Sequence, residues 1–151
     1  MLPVLAILAV LANGLMAGVF FAFSTAVMQG LDAAGPAEAT AAMRGVNIKI
    51  LNPWFLSSYL LAPIASLATG VLLLMGDGDA TAGALFVAAA VVYFLGAFVP
   101  TAAVNVPLNN ALEAGGVDWA GYSPRWVRWN HLRSLACTAA LVLAAVGLHL
   151  S

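Results

Sequence analysis

Four long apolar stretches follow one another along the chain, at about residues 3–28, 53–75, 81–104 and 129–150. At 1.5 Å per residue in a helix, each stretch is long enough to cross about 30 Å of hydrocarbon. None has the alternating pattern of a membrane β-barrel strand, so helices are the spans that this pattern favours. The pattern predicts an all-α fold over residues 1–151, a single integral membrane domain built as a four-helix bundle.

The polar segments between the spans contain local signals for helix starts. Asn52 can cap a helix whose first residue is Pro53, because the missing N–H of a proline costs nothing at that position. Ser123 and Pro124 repeat this pattern. The fourth helix is therefore expected to begin near residue 124 and to enter the membrane near residue 129.

The three connections differ in length. Residues 35–50 contain Pro36 at a possible helix start and Glu38 in the first turn, where its charge is favourable, so a short interfacial helix is predicted between spans one and two. The second connection is a tight acidic turn. Residues 105–124 are predicted as a long connection, because Pro107 can break a helix there.

Composition places these spans in a bilayer. Hydrophobic residues make up 64% of the chain and charged residues 7%, against about 25% charged residues in soluble domains. The first apolar stretch lacks a basic segment before it and is longer than the roughly 7–15-residue core of a signal peptide, so a retained helix is expected. The lipid bilayer is the predicted surrounding.

The basic residues predict an orientation. All five lie in or next to the first and third connections: Arg44, Lys49, Arg125, Arg128 and Arg133. The second connection carries only Asp77 and Asp79. By the positive-inside rule, a multi-pass protein of the cell membrane is expected, with connections one and three in the cytoplasm and both termini outside. Five basic residues and a net charge of -1 exclude a nucleic-acid partner.

The stretch RWVRWNHLRS, residues 125–134, holds most of the candidate chemistry. Trp126, Asn130 and Arg133 recur at i, i+4 and i+7, so they share one helix face, with Trp129 close by. Arg125 and Arg128 are expected to anchor the helix at the headgroups, and an interfacial aromatic belt is the alternative for Trp126 and Trp129. Ionisable groups deeper in the membrane usually face the bundle interior or a wet cavity, which is what we expect of Arg133.

Further polar residues are expected on the same membrane side. They lie in the first connection and at the end of the third span: Asn47, Asn52, Trp54, Asn105 and Asn109. Burying several amides together with Arg133 and His131 is costly unless they pair or line a polar cavity. The sequence therefore predicts a cytoplasm-side pocket between the helices. For Asn52, helix capping alone is the alternative.

Several classes of site are excluded. His131 and His149 lie at opposite membrane faces, and no His and Glu recur at helical spacing, so no metal site is expected. A single cysteine, Cys137, cannot form a disulfide within the chain. The sequence also lacks the motifs GxSxG, GxxxxGK and GxGxxG. Hydrolase, nucleotide-hydrolysing and dinucleotide chemistry therefore have no support.

Four segments in this order carry a family resemblance: FSTAVMQGL, NIKILNPWF, NVPLNNAL and WNHLRS. Over about residues 10–140, the chain resembles the anthrone oxygenase-like domain-of-unknown-function family of small integral membrane proteins. The resemblance implies O₂-dependent oxidation of an anthrone, or of a related phenolic substrate, without a cofactor. Such an enzyme needs a base and an oxyanion clamp.

The resemblance also implies roles for single residues. His131 is the candidate base, because imidazole titrates near neutral pH. The candidate oxyanion clamp is formed by Arg133, Asn130, Asn105 and Asn109. Stacking on the rings is expected from Trp54, Trp126 and Trp129, with Asn47 and Asn52 lining the pocket. Since His131 and Arg133 are two residues apart, they point about 200° away from each other on an ideal helix.

Two alternatives remain open from the sequence. One is a non-catalytic membrane bundle that binds a small hydrophobic molecule or a lipid, with a self-satisfied hydrogen-bond network and no cavity for a ring system. The other is a quinone- or haem-linked redox subunit, which needs paired inward histidines that the chain lacks unless protomers associate. Its Ala- and Gly-rich helices can pack closely enough to support a homo-oligomer.

Overall fold

The computed structural model describes residues 2–151, which form helices joined by short connections and contain no strand. The helices in chain order are α1 Leu2–Ala34, α2 Pro36–Lys49, α3 Pro53–Met75, α4 Ala80–Glu113 and α5 Trp119–Leu150. All but α2 are long and apolar enough to cross a membrane. The predicted all-α fold with four apolar helices is confirmed. The interfacial position of α2 stays a prediction.

The four long helices form a ring in which each helix packs against two others. Helices α1 and α4 each contact α3 and α5. Small residues allow these close approaches, and many of the buried side chains are alanines, for example Ala9, Ala65 and Ala140. A Cβ atom on Gly70 would lie 2.7 Å from the carbonyl oxygen of Gly83, so the backbones of α3 and α4 touch at this crossing.

The helix starts agree with the sequence at one predicted cap and differ at the other. Asn52 caps α3, since its Oδ1 accepts from the backbone N–H of Phe55 at 3.1 Å. The predicted start of α5 near residue 124 is wrong. Asp118 is its cap, accepting from the N–H of Gly121 at 2.8 Å, so the helix begins earlier. The Ser123 hydroxyl is therefore not a cap.

The hydroxyl of Ser123 links two helices instead. It donates to Oδ1 of Asp32 at 2.8 Å, and Nε1 of Trp119 donates to the same oxygen at 2.7 Å. Asp32 lies on α1, because that helix continues past residue 28, the predicted end of the first span, to Ala34. The two hydrogen bonds tie the end of α1 to the start of α5.

The predicted long connection over residues 105–124 is also wrong. Helix α4 continues through Pro100 and Pro107 to Glu113, and only residues 114–118 separate it from α5. Two π-helical turns, Phe94–Phe98 and Thr101–Asn105, flank Pro100, and the second ends just before Pro107. A wider turn relieves the clash of a proline ring with the preceding turn, so the helix is adjusted and not broken.

A third internal proline is compensated by a neighbouring helix. Pro63 of α3 has no N–H, so the carbonyl of Tyr59 loses its usual helical donor. The hydroxyl of Tyr93 on α4 donates to this carbonyl at 3.0 Å. Tyr93 is fully buried. This hydrogen bond joins α3 to α4 at the middle of the bundle.

Helix α2 lies at the end of the bundle where α1 ends and α3 begins, and it contacts α4 and α5. From α2, the Nη2 and Nε atoms of Arg44 donate to the carbonyl oxygen of Leu112 at 2.6 Å and 3.0 Å. The first and third connections therefore meet at one end of the molecule. Met43 and Tyr122 belong to a second buried cluster there.

Candidate functional site

A cavity of about 430 Å³ lies at this end of the bundle, and all five helices contribute to its lining. Most of its wall is apolar or aromatic, with Phe20 and Phe23 from α1 and Phe55 from α3. The polar side chains in its lining, apart from the indole of Trp126, are Asn47, Thr101, Asn109, Asn110, Glu113 and Arg133. The cavity is thus an apolar chamber with a few polar groups, as is typical of small-molecule sites.

Arg133 is a buried cation in the wall of the cavity, with 5% of its surface exposed. Its Nη1 donates to Oγ1 of Thr101 at 3.1 Å, and its Nη2 donates to Oδ1 of Asn130 at 2.8 Å. Its buried Nε has no hydrogen-bond partner. The one ion pair within residues 2–151 joins Arg44 to Glu113. Arg133 therefore faces the cavity without a carboxylate, an arrangement that favours an anionic ligand.

Two aromatic rings hold the guanidinium of Arg133. Its Cζ lies 4.5 Å from the ring centroid of Phe20 and 4.9 Å from that of Trp126. Both distances fall in the range of cation–π attraction. The ring of Trp126 also contacts that of Phe23, with 5.7 Å between centroids. The cation is thus fixed by aromatic faces that belong to the same cavity.

Asn130 lies behind Arg133 and connects it to α1. Its Nδ2 donates to the carbonyl oxygen of Phe20 at 2.9 Å and to Oγ of Ser24 at 2.8 Å. Ser24 belongs to a π-helical turn of α1, Phe23–Val27, which is like the two described above in α4. Such turns are frequent at functional sites. With both of its donor positions used, Asn130 turns its oxygen toward Arg133.

Asn109 presents its amide nitrogen as a donor because its oxygen is already occupied. The hydroxyl of Tyr122 and Nε1 of Trp126 donate to Oδ1 of Asn109 at 2.8 Å and 2.9 Å. These two bonds determine the orientation of the amide. From α2, the Nδ2 atom of Asn47 is buried and has no partner. Asn47 and Asn109 both line the cavity, so its polar wall consists mainly of donors.

The structure brings together only part of the predicted site. Asn47, Asn109, Trp126 and Arg133 line the cavity, with Asn130 directly behind the guanidinium. Asn105 is buried, and its Nδ2 donates to the carbonyl oxygen of Trp126 at 3.3 Å. It thus supports the position of Trp126 from outside the lining.

The other predicted residues lie elsewhere. Asn52 is a helix cap, Trp54 is 86% exposed, and Trp129 is 38% exposed. His131 is exposed on the face of α5 opposite Arg133, as their separation along the helix requires. None of these four side chains belongs to the cavity lining.

The sequence did not single out Glu113 or Thr101. Glu113 is the one carboxylate that lines the cavity, and its Oε2 lies 4.0 Å from Nε of Arg44. One face of α4 reaches the cavity at positions i, i+3, i+4 and i+7: Val106, Asn109, Asn110 and Glu113. This periodicity would have identified Glu113, had the helix been continued past Pro107. Within residues 2–151 no three metal-ligating side chains cluster.

Comparison with known proteins gives one family. A model described as anthrone oxygenase matches residues 51–143, more than half of the chain. Comparisons with curated proteins and with solved structures gave no match. The matched range includes Asn109, Trp126, Asn130 and Arg133, whereas α1 and α2, which supply Phe20 and Asn47 to the cavity, lie outside it.

Proposed function

Because the chain belongs to the anthrone oxygenase family, we propose that it is a membrane enzyme that oxidises an anthrone-type phenolic substrate with O₂ in this cavity. The observation that carries the proposal is Arg133, a buried cation that faces the cavity without a carboxylate partner. Preorganised donors in a largely apolar cavity stabilise an oxyanion better than water does. By the positive-inside rule, the basic residues near this end support a cytoplasmic position for the cavity.

The chemistry follows from the substrate's own acidity. Loss of a proton from an activated CH₂ conjugated to a ketone gives an anion with its charge on oxygen, and this anion can reduce O₂. Oxygen adds to the former CH₂ carbon as a peroxide. Loss of the second proton and cleavage of the O–O bond leave C=O and water. The substrate supplies all four electrons, so CH₂ and O₂ become C=O and H₂O without another reductant.

Different residues of the cavity have different roles in this reaction. The Arg133 guanidinium donates to the oxyanion, and the amides of Asn109 and Asn47 donate to oxygens farther along the substrate. Asn130 and Thr101 position the guanidinium through their hydrogen bonds. The rings of Phe20, Phe23 and Trp126 contact the flat substrate. A cavity of about 430 Å³ has room for three fused rings.

The proton of the CH₂ goes to water in this proposal. Glu113 lies on α4 twelve residues after Thr101, which is roughly 18 Å along a helix. Since the guanidinium lies at Thr101, Glu113 is too far away to act on a ring whose oxygen contacts Arg133. Arg133 promotes the step by favouring the charged form of the substrate. His131 has no part in it, because its side chain lies outside the cavity lining.

Oxygen uptake with a simple anthrone tests the proposal. Purified protein in detergent is compared with Arg133→Gln and with Arg128→Gln, which removes an exposed arginine of the same helix. The rate above spontaneous oxidation should fall by about 100-fold in Arg133→Gln, in the range for loss of an oxyanion donor. Arg128→Gln should keep the wild-type rate, and ¹⁸O₂ should label the new carbonyl oxygen.

Two results would contradict the proposal. Equal rates of oxygen uptake in Arg133→Gln and wild type would show that Arg133 takes no part in the reaction. Uptake no faster than in buffer, together with binding of a phenolate that depends on Arg133, would make the protein a binding bundle and not an oxygenase. Thermal unfolding of each variant is the control. A variant that unfolds at the wild-type temperature is still folded, so its slower oxygen uptake reflects the reaction itself.

A further inference from the structure

A second concave surface lies on the outside of the bundle between α3 and α4. It is a groove of about 450 Å³, and every residue that lines it is apolar. Helix α3 contributes Leu60, Ile64 and Leu67, and α4 contributes Val91 and Phe98, among others. In a bilayer this groove faces hydrocarbon, so its shape suits a hydrocarbon chain and offers nothing to a polar ligand.

The groove has a structural cause. The backbones of α3 and α4 touch at Gly70 and Gly83, and the groove lies along the next turns, between that crossing and the cavity. Pro63 lines it on α3, and the π-helical turn Phe94–Phe98 lines it on α4. The hydrogen bond from Tyr93 to the Tyr59 carbonyl fastens the two helices beneath it. The shape of the groove therefore follows from the backbone of α3 and α4 and from the hydrogen bond that joins them.

The groove and the cavity follow one another along the same pair of helices. On α3 the groove ends at Leu60 and the cavity is lined by Phe55. On α4 the groove ends at Phe98 and the cavity is lined from Thr101 onward. The ring of Tyr59 separates them. It stacks on Phe55 and on Phe98, with centroid distances of 5.8 Å in both cases.

The wall between them consists of the stacked rings of Phe55, Tyr59 and Phe98. Phe55 and Phe98 are both half-buried, so neither ring is fully enclosed by other side chains. From Phe55 to Leu60 the helix rises by roughly 7.5 Å, and from Leu60 to Leu67 by roughly 10 Å. A long substituent on a ligand in the cavity therefore needs to pass only these rings to reach the groove.

We propose that the cavity's ligand carries a long hydrocarbon chain, and that the groove between α3 and α4 binds this chain while the oxygen-bearing ring lies against Arg133. The ring's position rests on the proposed function. The substrate class is thereby narrowed to phenolic ketones with a long alkyl or isoprenoid substituent. A compound that carries only small substituents leaves the groove to bilayer lipid.

Calorimetric titration with two matched ligands tests this inference. The ligands are a hydroxyanthraquinone and the same compound with an n-dodecyl chain, both resistant to turnover. Leu67→Trp fills the groove, and Leu72→Trp is its control on the same helix outside the groove. The two leucines are 48% and 49% exposed. Partition of the chain into detergent is the same for all proteins, so the affinity ratio of the two ligands isolates the groove.

The affinity ratio of the two ligands should favour the dodecyl compound in wild type and in Leu72→Trp. In Leu67→Trp it should fall by about five-fold, because the chain loses its contacts there, while affinity for the unsubstituted ligand is unchanged. An equal ratio in all three proteins would overturn the inference and assign the groove to a lipid chain.

Arg133→Gln separates the two proposals. If binding of the dodecyl compound depends on Leu67 but not on Arg133, the proposed role of the groove is supported and the proposed oxyanion site is wrong. If binding of the unsubstituted ligand depends on Arg133 but Leu67→Trp leaves the affinity ratio unchanged, only the proposed role of the groove is wrong. Absence of binding by either ligand to the wild type would overturn both.

Discussion

Among single residues, what each polar side chain can offer a ligand depends on the partners that it already has. Asn130 uses its amide nitrogen on α1 and its oxygen on Arg133, so it positions another group. Asn109 uses its oxygen on Tyr122 and Trp126, which leaves its nitrogen for the cavity. Two asparagines on neighbouring helices thus have opposite functions.

Substitutions of Asn109 should separate ligand binding from folding. Asn109→Asp keeps an acceptor for Tyr122 and Trp126 but loses the donor and adds a negative charge. We expect near-wild-type thermal stability and at least about ten-fold weaker binding of a phenolate ligand. Asn109→Leu leaves the Tyr122 hydroxyl and the Trp126 N–H without a partner, and it should reduce stability by about 1–3 kcal/mol.

The two Asn109 variants are measured by thermal unfolding and by titration with the same hydroxyanthraquinone. Wild-type affinity in Asn109→Asp would show that the amide nitrogen does not contact the ligand. An equal loss of stability in both variants would show that the acceptor role of Oδ1 has been misassigned.

His131→Ala should leave the reaction unchanged. The imidazole is exposed and does not line the cavity, so it cannot come within the hydrogen-bond distance that a general base needs. Oxygen uptake within about two-fold of the wild-type rate is expected, since a lost general base typically costs far more. A loss of a hundred-fold would instead restore His131 as the base that the family resemblance implies.

Among the helices, internal prolines and wide turns determine where polar groups meet. Pro63, Pro100 and Pro107 all lie inside helices, and each removes one backbone donor. Around Pro100 the helix adopts π-helical turns, which bring Thr101 beside Arg133. At Pro63 the helix keeps its regular turn, and Tyr93 replaces the missing donor.

A double-mutant cycle tests this compensation. Tyr93→Phe leaves the Tyr59 carbonyl without a donor and should cost about 1–2 kcal/mol of unfolding free energy. In Pro63→Ala the new N–H of residue 63 can bind the same carbonyl, so Tyr93→Phe should cost markedly less in that background. Chemical or thermal unfolding of the four proteins gives the coupling. Additive effects would mean that the tyrosine hydroxyl does not replace the proline's missing donor.

For the whole molecule, both the cavity and the groove lie between helices, so both depend on how the helices pack against one another. The helices touch through small residues at one end, whereas α2 and aromatic side chains fill the space at the other. The connections that carry the basic residues meet at this wider end. The charge distribution predicts that this end faces the cytoplasm.

Cysteine labelling tests the orientation. In a Cys137→Ala background, single cysteines replace Lys49 in the first connection, Asp79 in the second and Gly116 in the third; all three positions are exposed. An impermeant maleimide should label Lys49→Cys and Gly116→Cys only in inverted vesicles, and Asp79→Cys in intact cells. The reverse pattern, or labelling of all three from one side, would contradict the predicted topology.

Much of this protein could be predicted because the relevant physics is local. Hydropathy along the chain determines the four spans, and Asn52 before Pro53 determines where α3 begins. The helical repeat places Trp126, Asn130 and Arg133 on one face, and the structure brings these three together. The family, too, follows from short segments in their order along the chain.

What the sequence alone could not decide depends on neighbours in space. A proline normally ends a helix, but α4 accommodates Pro107 with the π-helical turn Thr101–Asn105, continues in contact with α5 and so places Glu113 in the cavity lining. Which of His131 and Arg133 belongs to the site is decided by the contacts of α5 with α1 and α4, which bury Arg133 and leave His131 exposed. The groove is lined by side chains of both α3 and α4, so neither helix forms it by itself.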